Sequence, residues 1–156
     1  SDLNKHMKYI LPVVLFALLA LSCSKKEAEK QAAKDEVTLQ DYISAHNLNA
    51  TATGSGLYYV IEAPGTGPGC NSNSTVTVAY TGYLTNGEVF DQSDPTGATF
   101  NLQQVIQGWT EGIPYVKEGG SGKLLLPSAL GYGPQGSGPI PGNTVLIFDI
   151  VLLDVL

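Results

Sequence analysis

The side chains in this sequence that could do chemistry are five aromatic rings and one acid in its last two thirds. Most of them lie beside a glycine or a turn; they are Tyr80, Phe90 with Asp91, Phe100, Trp109 and Tyr132. An ordinary core is built mainly from Leu, Ile and Val, whereas rings next to glycine and a lone acid are typical of a small apolar pocket. Aromatic residues are only 8% of the chain, so their concentration in these phrases predicts such a pocket.

Composition and charge exclude other kinds of site. The chain has a net charge of −6 and no arginine, and from Val37 onward it has two lysines against nine acids. A nucleic-acid partner is not expected, because binding phosphates needs a positive surface. A metal centre is not expected either, since neither His6 nor His46 lies in a cluster of ligand residues. No motif indicates a cofactor.

The N-terminal residues have the pattern of an exported lipoprotein. Residues 1–6 precede Met7 and have the character of an expression-tag remnant, so we expect the natural chain to begin at Met7. Residues 7–22 place Lys8 before an apolar run that is too short to span a bilayer and has the length of a signal-peptide core. A small residue and then Cys23 end the run, which resembles a lipoprotein processing site with Cys23 as the lipidated first residue. An ordinary secretory signal with an incidental cysteine is the alternative.

The segment that begins at Cys23 predicts a tether. Residues 23–36 are charged, rich in alanine and free of aromatic and β-branched side chains, so we expect them to be flexible and to hold a domain off a membrane. We expect a lipid anchor in the bacterial cell envelope, and because the segment does not begin with an acidic run, we expect the domain to face the periplasm. Lipidation of Cys23 would leave Cys70 without a disulfide partner, and we expect Cys70 to pack as a small hydrophobic residue.

Helical and extended patterns position the candidate pocket. Residues 37–56 predict an N-terminal helix and a linker, with Thr38 and Asp41 as a capping box at the helix start. The dipeptide Asn86-Gly87 predicts a hairpin with a type I′ turn. Strand patterns begin at Leu57 and occupy residues 57–61, 75–80, 123–126 and 145–156. The last of these is apolar on both faces, which predicts a central strand.

One helical stripe interrupts the strands. Leu102, Val105, Ile106 and Trp109 have helical spacing, with Asn101 as the predicted cap and Gly112 as the predicted end. Such a helix must pack on the sheet, which brings the Trp109 ring to the edge of that contact. The sequence therefore predicts an α+β fold, a strongly twisted antiparallel β-sheet wrapped around one short α-helix, over residues 57–156 with an N-terminal helical lead-in.

Five phrases, taken in order and spacing, closely resemble the FKBP family of peptidyl-prolyl cis-trans isomerases. They are Tyr80-Thr81-Gly82, Phe90-Asp91-Gln92-Ser93, residues 105–112, Tyr132-Gly133 and Leu146-Ile147-Phe148-Asp149. Several phrases in register are more specific than any single motif. Together with the lipoprotein-like N-terminus, they make the chain similar to a bacterial lipoprotein member of that family.

The resemblance implies a catalytic site that proline-containing substrates share with macrolide inhibitors. Trp109 would be the floor, Asp91 the sole buried charge, hydrogen-bonded to Tyr80, and the Tyr132 hydroxyl and the Ile140 N–H would donate to peptide carbonyls. The implied catalytic residues are Tyr80, Phe90, Asp91, Trp109 and Tyr132. The implied substrate-binding residues are Phe100, Val105, Ile106, Ile140 and Phe148, of which Val105, Ile106 and Phe148 are about as easily explained as core.

The implied function is peptidyl-prolyl isomerisation in exported proteins by desolvation in the aromatic pocket, with no cofactor or metal. The implied partners are proline-containing segments of exported proteins, macrolides, and a membrane reached through the lipid anchor. The loop of residues 133–143 would cover the pocket, and Pro139 and the lack of a histidine there bear on substrate preference. A tethered chaperone or binding module that keeps the pocket is the alternative. A carbohydrate or host-protein binder is a third interpretation, which the register of the rings argues against.

Overall fold

A computed structural model describes the backbone from residue 3 to residue 156 and the side chains from residue 21 to residue 156. Two helices and seven strands are present in this part of the chain. They are α1 (Leu3–Ala45), β1 (Thr51–Ala52), β2 (Tyr58–Ala63), β3 (Thr75–Tyr83), β4 (Val89–Gln92), β5 (Ala98–Asn101), α2 (Gln107–Gly112), β6 (Ser121–Leu126) and β7 (Leu146–Val155). Three 3₁₀ turns connect them, at Ile113–Tyr115, Ser128–Leu130 and Gly133–Gln135.

The seven strands form one antiparallel sheet in the order β1-β2-β6-β7-β3-β4, with β5 also paired to β3. The first half of β3 pairs with β5 and its second half with β4, so both short strands lie along the same edge of β3. β7 pairs with β6 on one side and β3 on the other, which confirms its predicted central position. The predicted fold class, a twisted antiparallel sheet with one short helix and an N-terminal helix, is confirmed.

The inner face of the sheet, the face on which α2 packs, carries the larger core. Alternate residues of β7 point into it, including Leu146, Phe148 and Ile150. Glycines in α2 let this helix approach the sheet closely, because a Cβ at Gly112 would lie 2.8 Å from a methyl carbon of Leu124. Cys70 is half-buried against the same core, as the sequence predicts, and burial raises the pKa of its thiol.

The outer face of the sheet carries a second core, formed with α1. Leu39 and Tyr42 of α1 pack against Leu125, Val145 and Ile147, which alternate along the strands with the inner-face residues. Next to this core, the Lys123 ammonium group pairs with Asp149 and donates to the Tyr83 hydroxyl at 2.6 Å. Burial, followed by hydrogen bonding with Tyr42 and by the negative charge of Asp149, to which the Tyr83 hydroxyl donates, raises the pKa of Tyr83 well above its usual range.

Two N-terminal expectations are wrong. Residues 23–36 belong to α1 rather than to a flexible tether, because alanine, lysine and glutamate are strong helix formers and Asp35 is anchored to the domain. Thr38 does not cap a helix, since it lies inside α1 and its hydroxyl donates to the Lys34 carbonyl at 3.1 Å. The predicted tag remnant and nearly all of the predicted signal peptide lie outside the residues whose side chains are described. Within residues 21–156, whose side chains are described, no helical stretch is long and apolar enough to cross a membrane.

Two local predictions also need correction. α2 begins at Gln107 and not after Asn101, so Asn101 is not its cap. Asn101 is the last residue of β5, and its side chain accepts a hydrogen bond from the Gln103 N–H in a turn. The predicted hairpin forms, but not through a type I′ turn. Gly87 has a φ of 88°, whereas Asn86 is not among the residues with positive φ, and the Leu84 N–H donates to the Glu88 carbonyl. This is a three-residue loop in which the glycine forms a bulge.

Candidate active site

A cavity of about 320 Å³ opens on the inner face between α2 and strands β3, β4 and β5. Nine of the ten residues that the sequence and its family resemblance assign to a pocket line it. The lining residues are Tyr80, Phe90, Asp91, Phe100, Gln104, Val105, Ile106, Trp109, Tyr132 and Phe148. Gln104 is the one member that sequence reasoning missed, since no pattern distinguishes it from other polar turn residues.

Trp109 lies at the centre of this group of rings. It is only 4% exposed, and it makes edge-to-face contacts with Tyr80, Phe100 and Phe148 at centroid distances of 5.0, 5.3 and 5.3 Å. Perpendicular rings are favoured because the positive edge of one meets the negative face of another. Trp109 is the third residue of α2 rather than a residue at its far end, so the start of the helix positions it.

The indole N–H of Trp109 is buried and has no hydrogen-bond partner. It is the only buried side-chain nitrogen or oxygen without one among the described side chains. An unpaired buried donor costs about 1–3 kcal/mol, and most buried polar groups in folded proteins are paired. The one unpaired buried donor therefore belongs to Trp109, the residue at the floor of the cavity.

A glycine in β3 makes room for two wall residues. Gly82 is paired with Asp91 of β4 and with Phe148 of β7. A Cβ at Gly82 would lie 2.6 Å from the Phe90 ring and 2.8 Å from the Phe148 ring. These two rings are perpendicular, with centroids 5.5 Å apart. Any larger residue at position 82 would have to displace one of them.

Asp91 and Tyr80 form the polar side of the cavity. The Tyr80 hydroxyl donates to Asp91 Oδ2 at 2.7 Å, as the family resemblance implies. Burial, and secondly the hydrogen bond to Asp91, raise the pKa of Tyr80 to about 12, so this phenol stays protonated at neutral pH. Asp91 itself is an exposed residue, so the prediction that it is the sole buried charge of the pocket is wrong. It lies at the rim because strand β4 is at the edge of the sheet.

Tyr132 also lines the cavity. Its side chain is 38% exposed, and burial followed by the negative charge of Asp91 raises the pKa of its hydroxyl. Within the described residues this hydroxyl makes no hydrogen bond, so it is free to donate to a ligand.

The expected backbone donor is not Ile140. Its N–H donates to the Ser137 carbonyl at 2.9 Å, the Ser137 N–H donates back at 3.0 Å, and Ile140 does not line the cavity. Ile106 borders the cavity and precedes α2, and its N–H has no partner in the part of the chain that is described. The sequence carries a signal for this donor, because N–H groups at the start of a helix lack intrahelical acceptors.

The loop of residues 133–143 closes on itself. The Asn143 N–H donates to the Gly133 carbonyl at 2.8 Å across its base, and Gly136 and Gly138 have positive φ. None of its residues lines the cavity, so the structure does not place it as a cover over the rings. The Pro and Gly residues allow these tight turns, which is why its bonds are internal.

Comparison with known proteins agrees with the geometry. A family model described as FKBP-type peptidyl-prolyl cis-trans isomerase matches residues 67–153. A probable FKBP-type peptidyl-prolyl cis-trans isomerase of Haemophilus influenzae is 45% identical over 141 residues, which are 88% of this chain and 58% of the relative. FkpA of Escherichia coli is 38% identical over 138 residues, 86% of this chain and 51% of that protein. The chain thus spans about half the length of the curated relatives it matches.

Solved structures show the same fold. A 1.6 Å crystal structure of a peptidyl-prolyl cis-trans isomerase from Pseudomonas syringae has a TM-score of 0.72 and 31% identity, over 81% of this chain and 94% of that one. The crystal structure of FkpA from Escherichia coli has a TM-score of 0.71 and 34% identity, over 99% of this chain and 73% of that one. From the family match over more than half of its residues and from these relatives, the chain belongs to the FKBP-type peptidyl-prolyl cis-trans isomerase family.

Proposed function

We propose that residues 57–156 accelerate rotation about Xaa–Pro bonds in exported proteins. The observation that carries this proposal is the cavity over Trp109, which is walled by the rings of Tyr80, Phe90, Phe100 and Phe148. Its volume of about 320 Å³ is at the lower end of the range for ligand sites and suits a proline ring with its neighbouring peptide atoms.

An apolar cavity can lower this barrier without forming a covalent bond. The barrier of about 18–20 kcal/mol comes from amide resonance, which places negative charge on the carbonyl oxygen. Twisting the bond removes that charge separation, so the transition state is less polar than the ground state. Apolar surroundings therefore favour the twisted bond relative to water, and the mechanism needs no nucleophile.

Two donors at the cavity are suited to hold the peptide. The Ile106 N–H and the Tyr132 hydroxyl both border the cavity and have no acceptor within the described residues. A peptide whose carbonyls accept from both donors would have its proline ring held over Trp109. The bond from Tyr80 to Asp91 fixes the Tyr80 ring against Trp109, so Asp91 contributes by orienting the wall.

The cellular setting is part of the proposal. A lipid on Cys23 would anchor the start of the mature chain in the bacterial cell envelope, with the domain facing the periplasm, and Cys23 is exposed in α1. Mass spectrometry of the protein produced in bacteria would detect this lipid. A mature chain that begins elsewhere or carries an unmodified Cys23 would contradict the anchor, and Cys23→Ser is the control.

One observation favours a second function, a tethered chaperone or binding module with little isomerase activity. The Ile140 N–H is engaged within its own loop, so the backbone donor that the family resemblance implies is not available to a peptide. Such a module would suppress aggregation of unfolded proteins, and Tyr132→Phe would leave this suppression unchanged.

The deciding experiment measures refolding of a protein whose slow step is proline isomerisation, with and without a macrolide of the kind that binds this family. We expect the wild-type chain to accelerate that step and the macrolide to abolish the acceleration. No acceleration by the wild-type chain would refute the isomerase proposal. Suppressed aggregation without acceleration would support the second function.

A further inference from the structure

Asp35 of α1 is the one buried carboxylate among the described residues, and it is fully hydrogen-bonded. The side chain is 3% exposed. Its Oδ2 accepts from the Ser128 N–H at 2.8 Å and from the Ser128 hydroxyl at 2.5 Å, while its Oδ1 accepts from Gln31 at 2.8 Å. Charge-assisted bonds of this kind are stronger than neutral ones, and here they join two residues that are 93 positions apart. We call this group of bonds the Asp35 clasp.

The clasp holds the first residue of a short segment that leads to the cavity. Ser128 begins the 3₁₀ turn Ser128–Leu130, and only Gly131 separates that turn from Tyr132. The segment has little freedom to shift on its own. Leu130 packs against the inner core, and a Cβ at Gly131 would lie 2.9 Å from Leu146. A displacement of Ser128 would therefore be passed along this short packed segment to Tyr132.

Tyr132 has no other anchor for its polar end. Its hydroxyl has no partner in the described part of the chain, and its ring is 38% exposed. A partly exposed ring with a free hydroxyl depends on its backbone for its orientation. A donor must be held within a fraction of an ångström to act on a bound carbonyl, which requires support from the residues behind it.

We propose that Asp35 is a positioning residue for the isomerase site, acting through Ser128 on Tyr132; this inference rests on the proposed function. In this arrangement α1 does more than pack against the outer face of the sheet. It supplies the acceptor that fixes the segment behind one of the two substrate donors. Loss of the clasp leaves the cavity floor unchanged but lets Tyr132 move away from the position in which it meets a peptide carbonyl.

A neighbouring carboxylate offers a matched control. Glu36 also joins α1 to the sheet, but it accepts from the Tyr58 hydroxyl at 2.7 Å and has no bond to the segment that carries Tyr132. Glu36→Gln and Asp35→Asn each replace a docking carboxylate of α1 by an amide that keeps one acceptor oxygen. If docking alone matters, these two variants behave alike, whereas the clasp affects activity only through Asp35.

The experiment measures kcat/KM for Xaa–Pro isomerisation with the full chain, in wild type and in Asp35→Ala, each with and without Tyr132→Phe. We expect Asp35→Ala to lower kcat/KM by about tenfold, because a small displacement of a positioned group has a large effect on rate. Asp35→Asn, which keeps one acceptor oxygen, should recover part of the loss, and Glu36→Gln should stay within about twofold of wild type. In the Tyr132→Phe background, Asp35→Ala should have almost no further effect.

Two results would overturn the inference: unchanged kcat/KM in Asp35→Ala, or an undiminished loss in the Tyr132→Phe background. If Asp35→Ala does not fold, Ser128→Ala and Asp35→Asn replace it under the same criteria. If the wild-type chain is not an isomerase, the ¹⁹F signal of fluorotyrosine at position 132, assigned by its loss in Tyr132→Phe, still tests the positioning. A shift of that signal in the clasp variants but not in Glu36→Gln supports the inference, and no shift refutes it.

Discussion

The two faces of the sheet are each covered by a helix, but they are packed in different ways. On the outer face, Leu39 and Tyr42 of the long helix α1 fill the space above aliphatic residues. On the inner face, α2 has only six residues and rises about 9 Å, which is too short to cover the strands beneath it. The uncovered part is the cavity lined by aromatic rings.

The buried polar groups on the two faces also differ, because one set is hydrogen-bonded and the other is not. Asp35 of α1 and Ser128 are buried and hydrogen-bonded to each other, and the second oxygen of Asp35 accepts from Gln31. The buried Trp109 N–H beside α2 has no partner. The difference shows that α1 contributes packing and satisfied hydrogen bonds, while α2 leaves open space and an unpaired donor. Apart from the Asp35 clasp, substitutions on the two faces should therefore separate stability from activity.

Among the substitutions that test this comparison, Trp109→Ala should have the largest effect on activity and stability. Removing the floor should lower kcat/KM for Xaa–Pro isomerisation by about 100-fold, equivalent to about 2.7 kcal/mol of transition-state stabilisation. It should also lower the free energy of unfolding by about 3–5 kcal/mol, because the ring is part of the inner core. Urea unfolding and an isomerase assay on the folded fraction measure the two effects.

Leu39→Ala is the matched substitution on the outer face. It should lower the free energy of unfolding by about 2–5 kcal/mol, since Leu39 is completely buried against the sheet. Its kcat/KM should remain within about twofold of wild type under conditions in which it is folded. A large loss of activity in Leu39→Ala would mean that the apolar packing of α1, and not only the Asp35 clasp, supports the active site.

Gly82→Ala should have the next largest effect. The new Cβ would meet the Phe90 and Phe148 rings at less than 3 Å, so one ring must move into the cavity. We expect about a tenfold loss of kcat/KM with a stability loss of about 1–3 kcal/mol. Gly69→Ala is the control, because a Cβ at that position would meet nothing within 4 Å. Equal activities for the two variants would show that the walls tolerate displacement.

A smaller effect, on the pH dependence of stability, should come from one tyrosine on each face, Tyr80 and Tyr83. Folding raises the pKa of Tyr80 from 10 to about 12, and it also raises the pKa of Tyr83. Between pH 10 and 12 the unfolded chain has lost these protons and the folded chain still holds the Tyr80 proton, so stability falls as pH rises. Tyr80→Phe and Tyr83→Phe should each make this fall shallower in urea unfolding between pH 9 and 11. Only Tyr80→Phe should change kcat/KM at pH 7, and a change in Tyr83→Phe would contradict the comparison.

The smallest effect should come from Val151→Ala. Val151 lies on the part of the outer face that α1 does not cover, and it is 39% exposed. We expect a change of less than about 0.5 kcal/mol in the free energy of unfolding and no change in kcat/KM. A clear loss of activity or of client binding would identify this exposed part of the face as functional.

The strands and the cavity rings could be predicted from the sequence because they depend on local patterns. Residues 75–80 alternate as a strand with one buried face does, residues 145–156 are apolar on both faces as a central strand is, and phrases in register relate distant rings such as Phe90 and Phe148. The start of α2 could not be predicted from the same kind of pattern. Leu102 and Trp109 have helical spacing, but Leu102 belongs to the turn after β5.

Contacts between distant residues account for the other errors. Residues 23–36 have the composition of a solvated tether, and no local signal shows that Asp35 bonds to Ser128. Ile140 was assigned as a donor through the family resemblance, whereas its N–H bonds within a loop whose Pro and Gly residues favour internal turns. Asp91 is exposed because β4 is an edge strand, which depends on the strand order rather than on the residues around it.

The ion pair between Lys123 and Asp149 also determines the electrostatic field around the domain. From Val37 onward Lys117 is the only other lysine, so pairing Lys123 leaves one unpaired ammonium group against an excess of carboxylates. From residue 37 onward the surface therefore carries a net negative charge. Such a field attracts basic polypeptides and repels acidic ones over about one Debye length, roughly 8 Å at physiological salt. The rate at which unfolded segments reach the domain will thus depend on their charge and on ionic strength before any proline meets the cavity.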